Sequence, residues 1–107
     1  MEERKMQHGM TAAELKASSQ SDASPPSGIT GEARSLWHLK KGSWDEAHRI
    51  AQDIHTPMGS WIHALIHVIE GDQGNANYWF SMAGRPARRL ADADALWDEI
   101  AHEVCGG

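Results

Sequence analysis

His63 and His67 stand four residues apart, and Glu70 follows three later. On an α-helix that spacing projects all three side chains from one face, because residues three and four apart are surface neighbours. At about 100° per residue they share an arc of roughly 60°. Two imidazoles so placed chelate a divalent transition metal, and a carboxylate one turn on is a suitable third ligand. The order H-A-L-I-H lacks the glutamate that follows the first histidine in the zinc-protease helix. The same face suits acid–base work, but the plainer account is a solvated polar face opposite an apolar stripe of Ile62, Leu65, Ile66 and Ile69. A second polar stripe, Asp45, His48, Gln52 and His55, repeats the same steps on the preceding helix. Antiparallel packing of the two helices would bring His48, His55, His63 and His67 to one groove.

Two further stretches suggest binding. N-A-N-Y-W-F at Asn75–Phe80 offers Tyr78, with Asn75 and Asn77 beside it, as a partner-binding surface, since tyrosine and tryptophan are enriched where partners dock. The competing account places Trp79, Phe80 and Met82 in the core. G-R-P-A-R-R at Gly84–Arg89 is the one cationic cluster. Arg88 and Arg89 suit an anion, although a local salt bridge to Asp92 or Asp94 is the simpler role. Cys105 follows His102 by three residues at a fraying chain end, where a nucleophile finds no enclosed site, so no catalytic residue is assigned.

The elements that must position these residues are helices. Ser18–Gly28 has no apolar residue larger than alanine, so residues 1 to about 30 read as a disordered tail. Met10–Ala17 reads as one or two transient helical turns at most. A single domain over residues 31–107 follows. Its first helix runs from about Glu32 to Lys41 and stops at Gly42. Ser43 opens a second through a capping box with Glu46. Thr56-Pro57 ends that helix and opens a third, which ends at Gly71. Asp72 caps a fourth over about Gln73 to Ala83. Pro86 opens a fifth, with Leu90, Ala93, Trp97, Ile100 and Val104 as its apolar seam. No stretch alternates with period two for long enough to be a strand, so the fold class is all-α.

The chain has 107 residues, and fifteen acids against ten Lys and Arg give a net charge of −5, which argues against a nucleic-acid partner. A lone cysteine cannot form an internal disulfide. No apolar run approaches the roughly eighteen residues of a membrane helix, and the first residues lack the apolar stretch of a secretion signal. These features together point to a soluble, cytoplasmic protein with no membrane partner.

An offset of 29 residues (Gly71 minus Gly42) lays Leu36–Ile54 over Leu65–Ala83, matching Leu36 with Leu65, His38 with His67, and Ala47 with Ala76. Each unit is a helix, a glycine corner and a second helix, which buries its apolar side by stacking on its neighbour. G-S-W-D-E-A at Gly42–Ala47 and G-D-Q-G-N-A at Gly71–Ala76 resemble the tetratricopeptide-repeat turn, with Ser43 at the acid position and Gln73 where that family carries an aromatic. The period is shorter than the family's and the first half of each unit matches it poorly. The resemblance covers about 50 residues and implies two stacked antiparallel hairpins followed by an amphipathic C-terminal helix. Within Ala47–Pro86, the pieces W-I-H-A, H-V-I-E-G-D and N-A-N-Y-W-F also resemble an uncharacterised family of small bacterial helical proteins. That resemblance implies a compact helical protein and carries over no catalytic residues.

Stacked hairpins lead to the expectation of a non-enzymatic module that binds a protein or peptide, with homodimerisation through the Leu90–Val104 seam as a further expectation. No cofactor is called for under that reading. The contrasting expectation is a metal-binding protein, or a small metal-dependent hydrolase, using His63, His67 and Glu70 with a divalent transition metal.

Overall fold

A computed structural model describes residues 10–107, and six α-helices account for most of them. They are α1 (Ala12–Ser21), α2 (Gly31–Lys41), α3 (Trp44–Ala51), α4 (Pro57–Glu70), α5 (Gln73–Ala83) and α6 (Ala93–Cys105), with a 3-10 turn at Leu90–Asp92 before the last. No strand occurs among the described residues. None of their helices is long and apolar enough to cross a membrane.

The two corners singled out by the offset have the same construction. Gly42 and Gly71 adopt left-handed φ angles of 97° and 84°, which a side chain would strain. At the first, the amides of Gly42 and Ser43 donate to the carbonyls of Leu39 and His38. At the second, Gly71 and Asp72 donate to Val68 and His67. These are Schellman bonds at equivalent positions, and they turn each chain back as a helical hairpin, α2–α3 and α4–α5. Ala47 and Ala76, the small residues facing each hairpin's first helix, are fully buried. In the first hairpin the Ser35 hydroxyl donates 2.8 Å to the Ala47 carbonyl.

α4 is the central helix and packs against α2, α3, α5 and α6. Its sequence explains this, because Trp61, Ile62, Ala64, Leu65, Ile66 and Val68 make it apolar nearly all round. Thr56 caps its start by accepting from the Gly59 amide at 3.2 Å, ahead of Pro57 at the first helical position. Gly59 is required by a close approach, since a Cβ there would lie 2.1 Å from the Ile54 carbonyl oxygen. α6 lies across α1, α2 and α4, and the Trp97 indole N–H donates 2.9 Å to the Leu36 carbonyl.

The structure departs from the sequence expectations at several points. The disordered 1–30 tail does not hold for its described part, because α1 packs against α2 and α6. Leu15 is fully buried there, and small Ser18 lets α2 approach closely enough for the Trp37 indole to donate 3.1 Å to its hydroxyl. A capping box of Thr11 and Glu14 starts the helix. Residues 1–9 lie outside the described residues. The domain therefore begins before residue 31, and the described residues form six helices rather than about five. The capping box at Ser43 is absent, since its side chain makes no cap bond and its backbone serves the Gly42 corner instead. Pro86 opens no helix: 86–89 is irregular and α6 starts at Ala93. Leu90 accordingly falls outside the seam and is 59% exposed, while Leu96 and Ala101 join Ala93, Trp97 and Ile100 in the core. Met82, placed in the core by one reading of its helix, is 55% exposed.

Candidate metal centre

α3 runs back along α4, so a polar residue midway along α3 faces the polar positions of α4 across the seam between the two hairpins. His48 occupies that place. Its Nε2 lies 2.9 Å from Nε2 of His63, an imidazole–imidazole hydrogen bond in which one ring donates and the other accepts. His67 completes the group, its ring stacked on His63 with centroids 5.0 Å apart and 5.6 Å from the His48 ring. One potential ligand nitrogen from each of the three residues lies within 4.8 Å of the others. For comparison, tetrahedral zinc with bonds of about 2.0–2.1 Å holds its nitrogens about 3.4 Å apart. Side-chain adjustments of an ångström or so would bring three imidazoles onto one ion.

His63 is only 6% exposed, which the amphipathic reading of α4 did not foresee. Trp61, Ala64 and Val68 extend the apolar surface of α4 beyond the stripe of Ile62, Leu65, Ile66 and Ile69. The Trp79 indole covers His63 from α5, with centroids 4.0 Å apart and planes 10° from parallel. Burial, followed by the neighbouring His48 and His67, lowers the pKa of His63 from 6.5 to about 4. The ring is therefore neutral at pH 7. His67 turns Nδ1 toward carboxylates, 3.5 Å from Glu70 Oε1 and 4.0 Å from Asp72 Oδ2. That Nδ1 is buried and has no hydrogen-bond partner at these distances. A carboxylate behind a histidine holds the proton on the near nitrogen and leaves a lone pair on the far one.

The structure thus brings together His48, His63 and His67, and puts two expected ligands elsewhere. Glu70 is exposed and stands behind His67 rather than in the cluster. His55 lies past the end of α3, exposed on the rim of a cavity of about 590 Å³ that also reaches His63 and Trp79. The helix breaks at Ala51, short of the Thr56-Pro57 stop that the sequence offers, and this carries His55 out of line. The Trp79–His63 stack was not anticipated. The offset of 29 residues contains the signal, because it lays Trp79 on Ile50, which also faces inward.

No family model, curated protein or solved structure matches the chain.

The other expected sites are arranged as follows. Arg88 Nη1 donates to both carboxylate oxygens of Glu99 at 3.0 and 3.1 Å, and Nε lies 3.8 Å from Asp92, so its charge is already paired. Arg89 is exposed beside it, outside any helix. The Asn75 side chain donates 2.9 Å to the N-cap Asp72, and Asn77 accepts 2.9 Å from Gln73, so both serve the start of α5. Tyr78 is 55% exposed and touches Trp79 edge-on. Burial raises the pKa of the Cys105 thiol, which disfavours the thiolate that a nucleophile requires.

Proposed function

We propose that the protein binds a divalent transition metal, with His48, His63 and His67 as its three ligands. The observation that carries this reading is the convergence of three imidazoles from two helices around a point within 4.8 Å of one another. Nitrogen ligands of this softness suit zinc, nickel, copper or iron(II), and disfavour magnesium and calcium. The ion would join His48 of the first hairpin to His63 and His67 of the second. Three protein ligands leave a fourth position for water or a ligand, as in catalytic rather than structural zinc sites. Equilibrium dialysis of untagged protein against zinc tests this. One ion per chain is expected, with binding weakened at least about a hundredfold by His48→Ala and unchanged by His55→Ala. Absence of stoichiometric zinc, or equal binding by the His48→Ala variant, would overturn it.

A second reading, a protein- or peptide-binding module, draws support from apolar side chains left on the surface. Tyr78 and Met82 are each 55% exposed on α5, and Trp44 is 44% exposed at the start of α3. On this reading the hairpins α2–α3 and α4–α5 stack in the tetratricopeptide manner, a proposal favoured by the matching corners and by the packing of α4 against both helices of the first hairpin.

A further inference from the structure

The cavity and the histidine cluster are consecutive parts of one groove. His63 belongs to both. Gln52 on the cavity wall lies one turn past His48, and Ser60 lies three residues before His63. Moving from the cluster toward the α3–α4 connection therefore leads into the cavity along both helices. Its volume of about 590 Å³ falls in the range of small-molecule sites. Ile54, Trp79 and Met82 supply an apolar wall, while His55 and Ser60 supply polar edges.

The charge of this groove selects its ligand. The cavity part of the groove, where the guest would lie, is lined by no Asp, Glu, Lys or Arg, so nothing there would neutralise a cationic guest. Three imidazoles bring no charged ligand to a divalent ion, which favours an anion in the remaining coordination position. The first turn of α4 also faces the cavity through Pro57, Gly59 and Ser60, and the positive end of its dipole acts in the same direction.

Building on the metal reading, we propose that this groove binds a small monocarboxylate with an apolar body: the carboxylate ligates the metal, and the body lies against Ile54, Trp79 and Met82. The carboxylate gains the metal's charge and the body gains burial, so neither half binds well alone.

Phenylacetate is the probe, with acetate, phenylacetamide and phenethylamine as its counterparts lacking the body, the charge or its sign. Protein loaded with cobalt(II) reports ligation in the visible spectrum, and dialysis beforehand establishes whether the metal is held. Phenylacetate is expected to shift the cobalt bands and to bind at least tenfold more tightly to loaded than to metal-free protein. The three counterparts are expected to bind at least tenfold more weakly than phenylacetate. Ser60→Trp, which fills the cavity outside the cluster, should retain cobalt and lose phenylacetate. Cobalt held with its spectrum unmoved by phenylacetate overturns the carboxylate proposal and leaves the metal reading standing. Equal binding to metal-free protein, or full binding by the Ser60→Trp variant, also overturns it. Failure to hold cobalt at all overturns the metal reading, and the proposal with it.

Discussion

The two hairpins share a corner geometry and differ in chemistry. His38 and His67 occupy the same position relative to Gly42 and Gly71, and the backbone carbonyl of each accepts the same Schellman bond, from the amides of Ser43 and Asp72. Each also has a buried Nδ1 without a hydrogen-bond partner. Their polar neighbours diverge. One turn before His67 stands His63, whereas Arg34 stands one turn before His38. Glu70 and Asp72 flank His67 where the first hairpin has Lys41 and Ser43. Across the seam, α3 offers His48 to the second hairpin, and the equivalent position on α5 is Asn77. The first hairpin sets one carboxylate, Glu46, against Arg34 and Arg49 around its histidine and offers no second imidazole: burial lowers the pKa of His38, Glu46 opposes this, and the two arginines add to it. The second surrounds its histidine with two imidazoles and two carboxylates. Duplicated packing fixes where a side chain stands, and the residues beside it decide what that side chain can do.

The comparison makes the two hairpins equal in packing, and the largest expected effects test that equality. Leu36→Ala and Leu65→Ala remove fully buried, offset-matched side chains. Each is expected to cost about 2–5 kcal/mol in urea unfolding of metal-free protein, and the two costs should agree within about 1 kcal/mol. A large loss at one and a negligible loss at the other would break the equivalence.

Acid titration separates the hairpins next. In metal-free protein the folded-state pKa of His63 is about 4, below the value near 6.5 of the unfolded chain. As pH falls the unfolded chain takes the proton first, so the contribution is complete above pH 6.5 and is lost on the way to pH 4. The loss from this group amounts to about 3 kcal/mol at most, and urea unfolding at pH 7 and pH 4.5 measures it. His63→Phe, which preserves the stack on Trp79, should flatten most of that slope. His38→Phe should flatten it less. The reverse order would assign the sensitive group to the wrong hairpin.

How far the amino-acid sequence anticipates this arrangement depends on what each element rests on. Local chemistry served well: the Gly42 and Gly71 corners, the Thr56-Pro57 start and the bounds Gln73–Ala83 all follow from residues adjacent to them. The all-helical class follows from spacing alone. α1 was missed because its order comes from a distant partner, the Trp37 indole and the core that receives Leu15. Pro86 misled because an opening proline needs a helix to follow, and the pairing of Arg88 with Glu99 fits the irregular chain before α6. At the site, the spacing of His63 and His67 was legible and their burial was not. Helical period places residues on one face, whereas α3 and α5 together determine whether that face meets solvent.

Smaller effects sharpen the contrast at the carboxylates. Glu70→Gln removes the charge behind His67 and is expected to weaken zinc binding by about 10–100-fold, with little change in metal-free stability. Lys41→Gln, at the matching place in the first hairpin, should leave zinc binding unchanged. Isothermal titration calorimetry on both variants distinguishes an outer carboxylate that tunes the site from one that is merely nearby.

X-ray absorption fine structure of the zinc-loaded protein tests the central claim most directly, because it reports the ligand atoms and distances. The structure predicts three imidazole nitrogens at about 2.0–2.1 Å with one oxygen ligand, reduced to two imidazoles in His48→Ala. A sulfur ligand from Cys105, or an imidazole count indifferent to His48, would contradict the assignment of the seam between the hairpins as the metal centre.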